Sequence, residues 1–214
     1  MAGRISKQFL MFVLLAPLVF NAVAQPEKYV AGTHYAVLNA PVKTNDAERI
    51  EVIEAFWYGC AHCFRFEPLV ENWHANARDD IDFILLPAVW DPLMKVHAQA
   101  FYAAEAMGAL DKLHTPIFNA INMERNRLQN EKQLTELVTK HGVSEADFLQ
   151  AFNSFSVRTK VNQIDRKMKD YQIQSTPNMI VNGKYLVVNN QAVLTQQDML
   201  DVVDFLVDRE RLSQ

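Results

Sequence analysis

The sequence predicts an α/β chain carrying a compact all-helical insertion. Three observations carry that prediction: a strand, helix, strand succession between Arg49 and Trp90, a stretch from about Asp91 to Asp170 with hardly a β-branched run, and a hairpin followed by an amphipathic helix toward the C-terminus. Hydrophobic residues are 50% of the 214 and charged residues 21%, enough apolar material for a core, which excludes a disordered or fibrous chain.

The first 24 residues stand apart from this layout. Arg4 and Lys7 form a short positive region, Phe9 to Phe20 is almost wholly apolar, and Ala22-Val23-Ala24 supplies the small residues of a signal-peptidase site. Residues 1–24 are expected to be a cleaved secretory signal with Gln25 the first mature residue. The alternative, a retained anchor, needs a longer apolar run, since crossing a bilayer takes roughly 20 residues. No second stretch of this kind follows, so a soluble, exported mature protein is expected. Basic residues number 21 against 25 acidic ones, and none form a run, so a nucleic-acid partner is not expected.

The elements follow in order. Ile50, Val52, Ile53, Ala55 and Phe56 make a strand ending at the small residue Gly59. A helix starts near Cys60, with Phe64, Leu69, Val70 and Trp73 as its apolar stripe and charged Arg65, Glu67 and Glu71 between them. Pro68 falls inside this pattern and should kink the helix rather than end it. Residues 80–90, DIDFILLPAVW, read as a buried central strand parallel to the first. Five helical segments come next: one holding Ala98, Phe101, Tyr102, Glu105 and Met107, then Leu113 to Met123, then one marked by Leu134, Leu137 and Val138. Ser144 with Asp147 caps a fourth, which turns Phe148, Leu149 and Phe152 inward, and a fifth runs from Val157 toward Tyr171. Asn178 to Val181 and Tyr185 to Val188 flank Asn182-Gly183, a tight-hairpin signal. Thr195 and Asp198 cap the last helix, from about Gln196 to Arg211, which buries Met199, Leu200, Val203, Leu206 and Val207.

The chain has two cysteines, Cys60 and Cys63, and they sit where a strand gives way to a helix N-terminus. A thiolate on Cys60 would face unpaired backbone N–H groups and the positive end of the helix dipole. Attack on a disulfide needs the thiolate, and a low leaving-group pKa makes the resulting protein disulfide easy to give away. His62 can add a positive charge or a hydrogen bond. Cys63, further into the helix, is suited to resolving a mixed disulfide. Two other readings compete: half a zinc site, for which His62 and His74 supply no second paired knuckle, and a structural disulfide, whose short loop would stabilise little. No cofactor and no metal are expected.

The segments EAFWYGCAHC, Thr176-Pro177 and NMIVNGKYLV together resemble the DsbA family of periplasmic thiol-disulfide oxidoreductases, over essentially all of residues 25–214. The resemblance implies a thioredoxin fold with an inserted all-helical domain: thioredoxin-like parts at 25–90 and 164–214, and the helical domain at 91–163. It also implies that Cys60 is the exposed nucleophile, Cys63 the resolving thiol and His62 the principal tuner. Pro177 is expected to be cis, opposite the cysteines, with the Thr176 backbone free to pair with an extended substrate; a trans proline that merely starts the hairpin is the other reading. Glu54 resembles the family's partly buried acid, which would carry a proton to or from Cys63, where position alone allows a surface glutamate. The implied activity is donation of the Cys60–Cys63 disulfide to reduced exported proteins, with reoxidation by the quinone-linked membrane protein DsbB and a monomeric state.

The chain departs from the family twice. Cys-Ala-His-Cys replaces the common Cys-Pro-His-Cys, so Ala61 removes a rigid residue at the helix start, and Thr176 stands where many members have valine. An isomerase or reductase of the same superfamily is one alternative. Another is a chaperone that uses apolar surface around Trp57, Tyr58 and Phe64.

Overall fold

A computed structural model describes residues 27–213; the expected signal, 1–24, and Gln25 lie outside the described residues. The elements are β1 (Ala36–Val37), β2 (Ile50–Phe56), α1 (Ala61–Ala75), β3 (Ile81–Pro87), α2 (Pro92–Ala106), α3 (Leu110–Asn122), α4 (Glu131–Lys140), α5 (Glu145–Phe152), α6 (Phe155–Asp170), β4 (Asn178–Val181), β5 (Tyr185–Val187) and α7 (Gln196–Arg211). They build one five-stranded mixed sheet in the order β1-β5-β4-β2-β3. β2 and β3 are parallel, from Ile50 opposite Ile81 to Phe56 opposite Pro87, and β2 pairs antiparallel with β4 on its other side. The two-residue strand β1, which the sequence pattern had not indicated, extends the hairpin through Ala36 opposite Leu186.

β2 is buried along its whole length because both faces of the sheet are covered. Ile50 and Val52 join a core with Phe66 and Val70 of α1 and with Met199, Leu200, Val203 and Leu206 of α7. Ile53 and Ala55, pointing to the opposite face, join the larger core built with the inserted helices. The strand's twofold alternation thus joins the α/β layer to the insertion.

Local signals decide where elements stop. Asn182 and Gly183 both take positive φ, 50° and 62°, and the Lys184 N–H donates to the Val181 carbonyl at 3.0 Å. Gly183 is required twice over, since a Cβ there would lie 2.0 Å from the Val42 carbonyl oxygen. The Thr195–Asp198 capping box is formed in both directions, and Ser144 accepts from the Asp147 N–H at 3.3 Å. α1 runs through Pro68 to Ala75.

Three sequence expectations are corrected. The buried face of α1 is Cys63, Phe66, Glu67 and Val70, and Leu69 is exposed, so the stripe is rotated from the expected one. Glu67, read as an outward charge between apolar positions, is buried because His114 of α3 meets it 3.0 Å away. Tyr58, read as part of an apolar surface, is 1% exposed, with its ring edge-on to Phe56 and Phe118.

Candidate active site

The site forms where β2 ends and α1 begins. Trp57 to Cys60 is a turn closed by the Cys60 N–H donating to the Trp57 carbonyl at 2.9 Å. Cys60 is itself the N-cap of α1, with extended backbone angles (φ −88°, ψ 111°), and its sulfur takes the role a serine or aspartate oxygen usually plays. The Cys63 N–H donates to Cys60 Sγ at 3.3 Å, and the backbone N–H of His62 adds a second contact. No acidic residue occupies the first turn of α1 to compete for these donors.

The two thiols therefore differ. Both are free; Cys60 is half-buried and Cys63 fully buried. The hydrogen bond from the Cys63 thiol is the largest influence on Cys60. With the Thr176 hydroxyl and the two backbone N–H groups, it outweighs burial and lowers Cys60 from 9.0 to about 5. Burial pushes Cys63 strongly the other way, reinforced by its hydrogen bond to Cys60 and by the charges of Cys60 and Glu54. At neutral pH the arrangement is a thiolate beside a protonated thiol.

Thr176 and Pro177 arrive from the loop before β4, brought beside the cysteines because β4 pairs directly with β2. The Thr176–Pro177 peptide is cis, and Cys60 Sγ lies 3.5 Å from the Thr176 carbonyl oxygen. Glu54 is fully buried in the middle of β2, and neither carboxyl oxygen has a hydrogen-bond partner among the described residues. Burial first, then the charges of Glu67 and Cys60, raise its pKa well above the usual carboxylate range. It is a buried acid whose charge is felt at the cysteine pair, not the surface glutamate its position also allowed.

His62 departs from expectation. Its side chain is exposed and turned to Arg65, with Nδ1 3.1 Å from Nη2, so its contact with the sulfur is through the backbone. The Gln196 side chain ties the His62 carbonyl to the start of α7 at 2.6 Å.

Sequence reasoning missed the polar groups that hold the turn before Cys60 from behind. Trp57 Nε1 donates to His97 Nδ1 at 3.0 Å, which places the His97 proton on Nε2, 3.0 Å from the Arg127 carbonyl. Burial holds His97 below its ordinary pKa. Asn122 Nδ2 donates to the Tyr58 carbonyl at 2.8 Å. Tyr58 Oη lies 2.8 Å from His114 Nδ1. His97, His114 and Asn122 all come from inserted helices; in sequence each is a lone polar residue within a helical stretch, without a spacing that marks it. No group of three or more His, Cys, Asp or Glu side chains is placed to hold a metal among the described residues.

A parallel β-α-β unit with a cysteine pair at its helix N-terminus, facing a cis-proline loop from an antiparallel hairpin, defines a dithiol oxidoreductase of the thioredoxin fold, here with five helices inserted between β3 and β4. Comparison narrows the class. The family model described as a DSBA-like thioredoxin domain matches residues 76–201. The thiol:disulfide interchange protein DsbA of Pseudomonas aeruginosa is 33% identical over 195 residues, 91% of this chain and 92% of that protein. The DsbA of Burkholderia cepacia is 37% identical over 190 residues, 87% and 88% of the two chains. Among solved structures, Pseudomonas aeruginosa DsbA superposes with a TM-score of 0.82 at 33% identity, covering 86% of this chain and 96% of that one. DsbA from Xylella fastidiosa gives 0.80 at 30%, covering 86% and 98%. The chain belongs to the DsbA family, and it is a thiol:disulfide oxidoreductase.

Proposed function

We propose that Cys60 is the attacking and leaving sulfur of a disulfide donor and Cys63 its resolving thiol. The observation that carries this is the split between them: Cys60 half-exposed and lowered to about 5, Cys63 buried and raised. A substrate thiolate attacks Cys60 of the disulfide form, Cys63 departs and is protonated, and a second substrate thiolate then displaces Cys60 from the mixed disulfide. Cys60 leaves easily because its thiolate is stabilised at the helix N-terminus, and that stabilisation favours the dithiol enzyme and makes it an oxidant. Glu54 supplies the proton to Cys63. His62 contributes through its backbone N–H. Thr176 and Pro177 receive an extended substrate segment beside Cys60 by strand addition.

The substrates are reduced exported proteins, as the names of the relatives as interchange proteins support. Reoxidation falls to a quinone-linked membrane partner of the DsbB kind, and the chain works in the periplasm as a monomer after loss of residues 1–24. Among the described residues no helix is long and apolar enough to cross a membrane. We also propose the division into thioredoxin-like parts at 25–90 and 164–214 and a helical domain at 91–163. The 163/164 boundary falls inside α6, whose later part packs on the α/β layer through Met168, 3.2 Å from the Val89 N–H.

The test is oxidation of a dithiol peptide by the disulfide form. Cys60→Ser should abolish it, and Cys63→Ala, given the same peptide in its disulfide form, should accumulate a mixed disulfide as the Cys60 thiolate attacks and one peptide thiolate leaves. Trapping through Cys63 in a Cys60→Ala variant instead would reverse the roles, and persistent oxidation without Cys60 would refute the mechanism.

A further inference from the structure

We propose that His97, which touches neither cysteine, is a positioning residue for the pair: its imidazole pins the Trp57 indole, and the Trp57 backbone in turn holds both cysteines. The inference rests on the reading of Cys60 as the attacking and leaving sulfur.

The Trp57 backbone meets both cysteines. Its carbonyl accepts from the Cys60 N–H at 2.9 Å, closing the turn that makes Cys60 the N-cap of α1, and its N–H donates to the Cys63 sulfur. The side chain decides where that backbone sits. The indole folds back over Gly59, where a Cβ would overlap Cζ2 and lie 2.6 Å from Cη2, so the ring rests directly against the chain inside the turn.

What keeps the indole there comes from the insertion. Trp57 Nε1 donates to His97 Nδ1 at 3.0 Å, and the rings are within 24° of coplanar with centroids 6.2 Å apart, so the in-plane lone pair of the imidazole meets the N–H. His97 is 1% exposed, and its second nitrogen is spent on the Arg127 carbonyl at 3.0 Å. That carbonyl is itself fixed. Leu128 follows it with left-handed backbone (φ 47°) and a fully buried side chain, and its N–H donates to Asn126 Oδ1 at 3.3 Å. Both ring nitrogens are thus committed, which sets the tautomer and the orientation. Burial keeps the ring neutral at neutral pH, the state in which Nδ1 can accept. A leucine would fill this space without burying polar atoms; the imidazole adds an acceptor, and Trp57 is the group that uses it.

Freed from His97, the indole can rotate off Gly59 and the turn loosens at its first residue. Cys60 then loses part of the N–H geometry that stabilises its thiolate, because hydrogen bonds to a charge weaken with misalignment. The result is a less acidic Cys60 and a disulfide less readily given away.

The test reads the cysteine pair in the folded protein, by thiolate absorbance against pH and by the equilibrium with glutathione, with urea unfolding alongside. His97→Leu should raise the Cys60 midpoint by about one unit and lower the oxidising equilibrium constant about tenfold. Trp57→Phe breaks the same bond from the other side and should shift both in the same direction by a similar amount, so it decides the matter even where the leucine variant does not fold. Combining the two should add nothing further, since both act on one contact. His97→Asn, which keeps an oxygen at the Nδ1 position, should return most of the parent values. If the leucine and phenylalanine variants lower only the urea midpoint and leave the titration and the glutathione equilibrium at the parent values, His97 is a core histidine and the inference is refuted. Shifts that multiply in the double variant refute it too, because the two residues then act separately. A parent titration that survives in Cys60→Ser would remove the reading of Cys60, and this inference with it.

Discussion

Oxidising the cysteine pair removes the Cys60 thiolate, so the stability gap between the dithiol and disulfide forms should carry that thiol's titration. An ordinary thiol ionises near 9.0 and folded Cys60 near about 5. A folded pKa below the unfolded one stabilises the dithiol form fully above about 9, and that stability is lost as pH falls through about 5. At about 1.36 kcal/mol per pKa unit, the part realised between pH 5 and pH 7 is about 2.7 kcal/mol. Cys60 is only half-buried, and solvent screening reduces this to roughly 1–2 kcal/mol. Urea unfolding of both forms at about pH 4.5 and pH 7 measures it. The cross-link's own contribution does not titrate and cancels in the pH difference. The gap should move by roughly 1–2 kcal/mol in favour of the dithiol form on going to pH 7, and Cys60→Ser, which has no thiolate at this position, should lack the parent dithiol form's extra gain over the same range. A gap that stays flat, or that moves toward the disulfide form, would refute the assignment of a stabilised thiolate.

Other perturbations read other parts of the structure. Iodoacetamide at about pH 6 should label Cys60 well before Cys63 in the folded dithiol form, as peptide mapping would show; equal labelling contradicts the burial difference. Thr176→Val removes a hydroxyl that donates to the Cys60 thiolate and should raise its pKa by up to about one unit. His62→Ala should raise it less, because the backbone N–H survives and the ring faces Arg65; thiolate absorbance against pH ranks the two, and the opposite order would restore the imidazole as the tuner. Gly183→Ala should cost about 2 kcal/mol or more, since it adds left-handed backbone strain to a Cβ placed against the Val42 carbonyl. Glu210→Gln breaks the ion pair that buried Glu210 makes at 2.5 Å with partly exposed Lys184 and should cost about 1 kcal/mol by chemical denaturation, where an unchanged midpoint would show the pair to be neutral.

Much of this protein was legible in one dimension because its signals are local. The strand at Ile50–Phe56, the hairpin at Asn182-Gly183, the N-cap at Ser144 and the capping box at Thr195 are each specified by residues within a few positions of one another, and periodicity, φ preference and side-chain-to-backbone bonds act over that range. The cysteine pair was legible for the same reason: a strand that ends and a helix that begins within four residues place a sulfur at a helix N-terminus whatever lies around it. Tertiary structure alone decided the rest. Glu67 carries a surface glutamate's spacing on α1, and only the arrival of His114 from a helix some fifty residues later in the chain makes its burial tolerable. Tyr58 turns inward for the same histidine, His62 turns outward to Arg65, and Glu54 loses its solvent because both sheet faces are covered. The free energy of a charge or a polar group depends on every neighbour within a few ångströms, most of them distant in sequence, and no pattern along the chain records which neighbours those will be.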